Sequence, residues 1–286
     1  LTQRKAVPAA DAIVRTMPEM EADPRPSIEL QRIGFGEPLR WLVLGWRDFA
    51  SAPLIGLFYG AAFVVMGWSL AKVYATAPAY VMALAAGFLL MGPLLCLGLY
   101  HVSRALEGGE KPDFAGSLLA FESRLGPLAI FGFVLLVLEM LWGRATLVIF
   151  AVSFDGMPDL KGSLLALLNP ENIGFIVAWL GVGAVFAGLI FSVSVISIPM
   201  LLDRPVDAIT AGLTSLRLVL TQTGVMLWWG ALITLVIVVA MLPWFIGLLV
   251  AGPVIGHASW HAYRAAVRVQ PDDATAPGLA HTGGDE

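Results

Sequence analysis

The chain has 286 residues, of which 58% are hydrophobic and 13% charged, with a formal net charge of −4 and a mean hydropathy of +0.82. Soluble domains carry roughly 25% charged residues, so this composition excludes a water-soluble globular fold and points to an integral membrane protein. The single Cys96 lies in an apolar run and excludes a disulfide framework or a thiolate metal cluster.

Residues 1–36 hold Pro8, Pro18, Pro24 and Pro26 among mixed charges, a composition too polar to offset the entropy of ordering. The segment lacks the apolar stretch of a signal peptide and is expected to be a polar cytoplasmic arm. Pro38–Ala52, with Trp41, Leu44, Trp46 and Phe49 among Arg40, Arg47 and Asp48, has the pattern of an amphipathic helix lying on the membrane surface.

Beyond residue 52 charges become sparse. No Asp, Glu, Lys or Arg occurs in 73–103, 172–202 or 218–263. A span needs about 20 apolar residues. The last run is 46 residues long, about 69 Å as one helix against a hydrocarbon core of about 30 Å. It must turn back, and Pro243 is the expected turn, since proline removes a helical donor and clashes with the preceding turn. With 53–71 and 126–151 the expectation is six spans: 53–71, 79–101, 126–151, 174–202, 223–242 and 244–263. Domain bounds follow: an arm over 1–36, a six-helix transmembrane domain over 37–268 and a disordered cytoplasmic tail over 269–286.

Basic residues orient the spans. Seven lie before residue 53, three in 102–125, two in 203–222 and two after 263, against Lys72 and Lys161 in the opposite set. Both termini are therefore expected in the cytoplasm.

The second and sixth spans correspond at a constant offset of 160: Gly87, Leu89, Gly92, Pro93, His101, Arg104 and Ala105 pair with Gly247, Leu249, Gly252, Pro253, His261, Arg264 and Ala265. At offset 93, Glu110-Lys111-Pro112 pairs with Asp203-Arg204-Pro205, and Arg124 with Arg217. The expected fold is all-α: three repeated units, each an interfacial amphipathic helix followed by a transmembrane hairpin.

Trp41-x4-Trp46-Arg47-Asp48, Gly87-Phe88-x3-Gly92-Pro93, Asp203-Arg204-Pro205-Val206-Asp207-Ala208 and Thr214-Ser215-Leu216-Arg217 resemble a bacterial family of predicted inner-membrane proteins, domain of unknown function 2189. The likeness runs over about residues 30–268. It implies residence in the bacterial inner membrane, and members of this family often carry a label relating them to cytochrome c oxidase. The motifs mark helix starts and packing and identify no reaction.

A haem-copper catalytic subunit needs six intramembrane histidines, and this chain has His101, His257, His261 and His281. No phosphate-binding loop, His-Glu-x-x-His helix or nucleophile elbow is present, so no enzymatic activity is expected. His257 and His261 are four apart on one helical face, and the repeat puts His101 at the depth of His261. Together they could ligate a metal, yet no carboxylate accompanies them, and hydrogen bonding at the interface is the favoured reading. No metal or other cofactor is expected, and the sequence leaves open whether a lipid or quinone sits between the hairpins.

Glu139 and Arg144 are intramembrane charges, costly at that depth and functional candidates by default; Arg144 can snorkel outward, whereas Glu139 needs a partner from another helix. Gly56-x3-Gly60, Gly252-x3-Gly256 and the fourth-span stripe with Gly181 and Gly188 allow close helix approach, within the bundle or against a partner. Trp228, Trp229, Trp244 and Trp260 are expected at the interfaces, and Leu213, Leu216, Leu220 and Val219 on the lipid side of a surface helix over 211–222.

The function these features favour is a non-catalytic accessory, scaffold or assembly subunit of a larger inner-membrane complex. Its partners would be other integral subunits and lipid, not nucleic acid, and the resemblance favours a respiratory cytochrome c oxidase or its supercomplex as host. A small-solute or lipid transporter is the alternative.

Overall fold

The computed structural model describes residues 28–77, 80–153 and 173–269. The described residues divide into two units, one holding Ile28–Leu30 and Val267–Val269 and the other lying within 31–266. In the first, β1 (Ile28–Leu30) pairs antiparallel with β2 (Val267–Val269), setting Ile28 against Val269, Glu29 against Arg268 and Leu30 against Val267. The sequence reading assigned no strand here; three-residue segments are too short for a period-2 pattern to register.

The second unit is helical. Its elements are α1 (Glu37–Ser51), α2 (Pro53–Thr76), α3 (Val81–Glu107), α4 (Phe114–Leu118), a 3-10 turn (Glu122–Arg124) and α5 (Leu125–Ser153). Then follow α6 (Ile173–Ser194), α7 (Ser197–Asp203), α8 (Ala208–Thr221), α9 (Thr223–Met241) and α10 (Leu248–Ala266). Pro53–Thr76, Leu125–Ser153, Ile173–Asp203 and Thr223–Met241 are long and apolar enough to cross a membrane. Their apolar residues lie on all sides, as a lipid solvent requires. Leu54, Leu147, Val185 and Leu235, each at least 60% exposed, have no protein neighbour to cover them.

Proline sits where its chemistry fits. Pro38 and Pro53 open α1 and α2, where the missing amide costs nothing. Pro243 lies in the turn between α9 and α10, as expected from the length of the charge-free run. That turn continues through Trp244 and Phe245 at φ 53° and 64°. Left-handed backbone costs a bulky residue about 1–2 kcal/mol, and two contacts hold it here. The Trp68 indole donates to the Trp244 carbonyl at 2.7 Å, and the Phe245 ring fills the space left by Gly67.

α10 is the centre of the unit. Along it Leu248, Gly252, Pro253, Gly256, His257, Ala258, Trp260, Ala262, Tyr263 and Ala266 are buried, against α1, α2, α3, α7 and α9. Close approach depends on glycine. A Cβ on Gly45 of α1 would lie 2.5 Å from the Val254 carbonyl oxygen and 2.7 Å from the Ala258 nitrogen. One on Gly60 of α2 would overlap the Leu249 carbonyl. Ile55, Tyr59, Leu99 and Val102 form an apolar cluster between α2 and α3.

α6 and α7 are separated by a break at 195–196 that α8 supports. The Ser215 hydroxyl donates to the Ser192 carbonyl at 2.8 Å, and the Ser197 hydroxyl donates to the Ala211 carbonyl at 3.0 Å. Asp207 caps α8, accepting from the Thr210 amide at 2.8 Å and the Thr210 hydroxyl at 2.6 Å. These bonds hold its carboxyl below the ordinary carboxylate range, so the cap is at full strength above about pH 4 and is lost as the pH falls through the lowered value. Asp207→Ala is expected to cost about 1 kcal/mol at neutral pH and less once the wild-type carboxyl is protonated. Urea unfolding in detergent at the two pH values checks it.

Gln222, the single residue joining α8 to α9, accepts from the Ile33 amide at 2.7 Å and donates to the Gln31 carbonyl at 2.7 Å. This two-point clamp fastens 31–33 to the helical unit. Gln222→Ala should leave the bundle folded while raising amide exchange at Ile33 about tenfold, as the loss of roughly 1–1.5 kcal/mol of hydrogen bonding dictates.

Candidate functional site

Four of the charged residues that the offset repeats singled out, Arg104, Asp203, Arg204 and Arg264, converge at one end of the bundle. Asp203, the last residue of α7, is the hub. Arg104 of α3 lies 3.8 Å from its Oδ1, and Arg204 and Arg264 lie 3.6 Å from its Oδ2. The Tyr263 hydroxyl donates to the same Oδ2 at 2.7 Å and accepts from Arg204 Nε at 2.6 Å, with the Arg204 guanidinium 6.0 Å from the Tyr263 ring centre. Glu107 takes Arg264 at 3.0 Å through Oε1 and the Trp260 indole at 3.0 Å through Oε2. The cluster therefore cross-links the ends of α3, α7 and α10, with three arginines around two carboxylates. Glu107 and Asp203 together supply the negative charge that the partly buried Arg264 guanidinium faces. Sequence reasoning singled out Arg104 and Arg264 as a repeat pair but missed Glu107 altogether. Asp203 was visible only as part of a helix-start motif.

Arg124 and Arg217, the other repeat pair, do not join this cluster. Arg217 is exposed and Arg124 half-buried, and neither has an ion pair among the described residues.

The three histidines have separate surroundings. His257 is fully buried, with its Nδ1 2.8 Å from the Ser103 hydroxyl and its Nε2 without a partner among the described residues. His261 Nε2 donates to the Asp48 carboxylate at 2.8 Å, tying α10 to α1. His101 is half-buried beside Gly116 of α4. Among the described residues no three His, Cys, Asp or Glu side chains are grouped to hold a metal ion. Asp48 is thus the carboxylate that the sequence reading did not find near His261, supplied by the helix that α10 packs on.

Glu139 is buried in α5, 6% exposed, and its Oε2 has no hydrogen-bond partner among the described residues. The hydroxyl of Thr146, two turns along the same face, is likewise buried and unpartnered. Arg144 is exposed, in keeping with a side chain that reaches outward and does not pair with Glu139.

The glycines fall into two sets. Gly56 faces Phe49, Gly252 faces Phe63 and Gly256 faces Leu99, each leaving a Cβ only 2.5–2.6 Å from the neighbour, and Gly60 abuts the Leu249 backbone. These four pack within the unit. Gly181 and Gly188 of α6, with Gly174, have nothing within 4 Å of a Cβ position.

Two of the tryptophans expected at an interface are core residues instead. Trp229 is fully buried, its ring edge-on to Trp41 at 5.3 Å, and Trp260 is 1% exposed on Glu107. Trp228 and Trp244 are exposed, at 40% and 78%. Val219 also faces inward, at 6% exposure, while Leu213 and Leu220 lie on the outside as expected and Leu216 is half-buried. Trp228 and Trp229 are neighbours on α9, about 100° apart around the helix, so one faces outward and the other meets the bundle, and hydropathy does not distinguish the two faces.

Residues 81–203, which contain α3 to α7, match the model of a family described as predicted integral membrane protein, domain of unknown function 2189. The match includes the Gly87–Pro93 signature, Arg104, Glu107, Glu139 and Asp203; the signatures at 41–48 and 214–217 lie outside it. No curated protein and no solved structure matches the chain.

Proposed function

We propose that this chain is a non-catalytic accessory or scaffold subunit of a larger assembly in the bacterial inner membrane. The observation that carries the reading is the bare glycine stripe on α6. Gly174, Gly181 and Gly188 recur every seven residues on one face with nothing among the described residues within 4 Å of a Cβ position, as is also true singly of Gly87, Gly92, Gly126 and Gly143, whereas Gly45, Gly56, Gly60, Gly252 and Gly256 are all filled from within. In lipid, helices associate through close backbone approach at small residues, so a stripe of this kind unused by the bundle suits a helix from another subunit. A respiratory cytochrome c oxidase or its supercomplex is the host that the family resemblance favours.

The architecture that accompanies this reading has six spans, with α3 and α10 added to the four candidate crossings, and both termini in the cytoplasm on the strength of the basic-residue count. Support for a repeat comes from α1 and α8. At an offset of 170 they bury the same positions, Pro38, Trp41, Gly45 and Phe49 against Ala208, Ala211, Ser215 and Val219. Each passes into the next long helix through one residue of like conformation, Ala52 at φ −134°, ψ 58° and Gln222 at φ −130°, ψ 43°. Helices α3 and α10 each continue through an internal proline, Pro93 and Pro253.

Native purification through a tag on this chain tests the subunit role. A defined set of co-purifying membrane proteins is expected from wild type, and Gly181→Leu with Gly188→Leu should release them while leaving the thermal midpoint of the chain unchanged. Migration as a free 30.5 kDa protein would overturn the reading.

A second reading, transport of a small solute or ion, is favoured by Glu139 and Thr146, two buried polar groups on one face of α5 with unmet hydrogen-bonding capacity. Uptake into proteoliposomes that is lost in Glu139→Gln would establish it; equal uptake by wild type and empty vesicles would dismiss it.

A further inference from the structure

α1 and α8 each have three sectors. At about 100° per residue, the first faces the bundle. About 125° around the helix lies a second sector of exposed apolar side chains: Leu39, Val43 and Trp46 on α1, at 50–53% exposure, and Ile209, Leu213 and Leu220 on α8, at 61–71%. The third, roughly 70° further on, carries an exposed arginine near the C-terminal end, Arg47 on α1 and Arg217 on α8, again at an offset of 170. Leu39 corresponds to Ile209, Val43 to Leu213 and Arg47 to Arg217.

The carboxylates on and beside these helices are already engaged. Glu37 pairs with Arg40 at 3.4 Å, Asp48 takes His261, and Asp207 caps α8. Among the described residues neither the Arg47 nor the Arg217 guanidinium has a carboxylate within ion-pair distance. Each is therefore a free cation bordering an apolar strip on a helix that is fixed to the bundle by its opposite side.

We propose that α1 and α8 each bind an anionic phospholipid, its acyl chains along the apolar sector and its phosphate on Arg47 or Arg217. The arrangement needs a monolayer edge: hydrocarbon against Leu39, Val43, Ile209 and Leu213, and a negatively charged group at guanidinium height. Arginine is suited to this because its planar fork bonds two phosphate oxygens at once and its stem can lie along apolar surface. Zwitterionic lipid offers the same phosphate but cancels its charge with choline, so the preference should follow headgroup charge. The proposal rests on the surface placement of α1 and α8 in the architecture above and is independent of any partner subunit.

The test uses the purified full chain in neutral detergent, titrated with palmitoyl-oleoyl phosphatidylglycerol or phosphatidylcholine and read by native mass spectrometry. Two phosphatidylglycerol molecules are expected to bind at least about fivefold more tightly than phosphatidylcholine, the factor that one cation at a membrane surface supplies. Arg47→Gln with Arg217→Gln should abolish the preference, Arg47→Lys with Arg217→Lys should keep most of it, and Arg144→Gln, an exposed arginine elsewhere, should not alter it. Equal binding of the two lipids by wild type would overturn the proposal, and that comparison needs no variant to fold. So would an unchanged preference in the double Gln variant, or the same loss in Arg144→Gln. If the double Gln variant instead sheds a co-purifying protein with its lipid binding intact, the surface is a protein contact and the proposal falls. Solitary migration of the chain would remove the subunit reading but leave the lipid preference standing. A spin label at Val43→Cys in a Cys96→Ala background reports separately whether α1 meets lipid or water.

Discussion

Gly60→Ala should destabilise the protein by about 3 kcal/mol or more, against the direction that helix propensity dictates. Alanine in place of glycine inside a helix ordinarily gains up to about 1 kcal/mol. At Gly60 the added methyl falls on the Leu249 carbonyl of α10, a backbone atom that cannot move aside without shifting the central helix. Overpacking of this kind costs about 1–3 kcal/mol, more where the backbone must give, and Gly45→Ala should behave alike, since its Cβ would meet Val254 and Ala258 backbone at 2.5 and 2.7 Å. Gly181→Ala supplies the contrast: with nothing within 4 Å it should be neutral or mildly stabilising in the isolated chain. Thermal unfolding in detergent, followed by the reactivity of the single thiol of Cys96, measures all three. A lowered midpoint at Gly60 together with an unchanged or raised one at Gly181 is the expected pattern; equal shifts would mean that α2 and α10 do not touch as described.

Asp203→Ala should be the most damaging single charge removal, at about 2–3 kcal/mol. Its side chain is 14% exposed and faces Arg104, Arg204 and Arg264 together with the Tyr263 hydroxyl. Removing one member of a buried ionic group leaves its partners uncompensated, which costs about 3–5 kcal/mol when the group is wholly buried. Here Arg104 and Arg264 are 53% and 39% exposed, so solvent takes up part of the charge and the smaller figure applies. Asp203→Asn should recover part of the loss, because an amide oxygen still accepts from Tyr263 while the net charge does not. Adding Arg104→Gln to Asp203→Ala should cost less than the sum of the two single changes, since the double variant has one fewer unmatched cation. Chemical unfolding of the four proteins completes that cycle, and strict additivity would show that Arg104 and Asp203 do not interact.

The helices of this protein were legible in its sequence because solubility in lipid is a local property. A run free of charge and about 20 residues long is a candidate crossing whatever its neighbours are, and the excess length of 218–263 demanded a reversal that Pro243 was placed to make. The equivalence of Arg104 and Arg264 was equally open to inspection, since an internal offset needs only the chain compared with itself. The likeness to the membrane family matched over 81–203 was legible too, through the Gly87–Pro93 signature.

Which surfaces meet was not legible. Gly60 and Gly181 sit in similar small-residue patterns, yet one is filled by a backbone carbonyl and the other by nothing, a difference that exists only once α2 has found α10 and α6 has not. Trp229 and Trp260 read like Trp228 and Trp244 because hydropathy has no means of telling the face of a helix that meets the bundle from the face that does not. Glu107 had no local pattern, and Asp48 was visible only within a helix motif that named no partner; each became a partner when α10 brought Arg264 and Trp260 to the first and His261 to the second. Composition and periodicity decide what each segment can be dissolved in, because that is settled residue by residue against solvent. Pairing between segments is a competition among many near-equivalent apolar faces, and it was decided by backbone approach at a few glycines and by ion pairs between residues far apart in the chain.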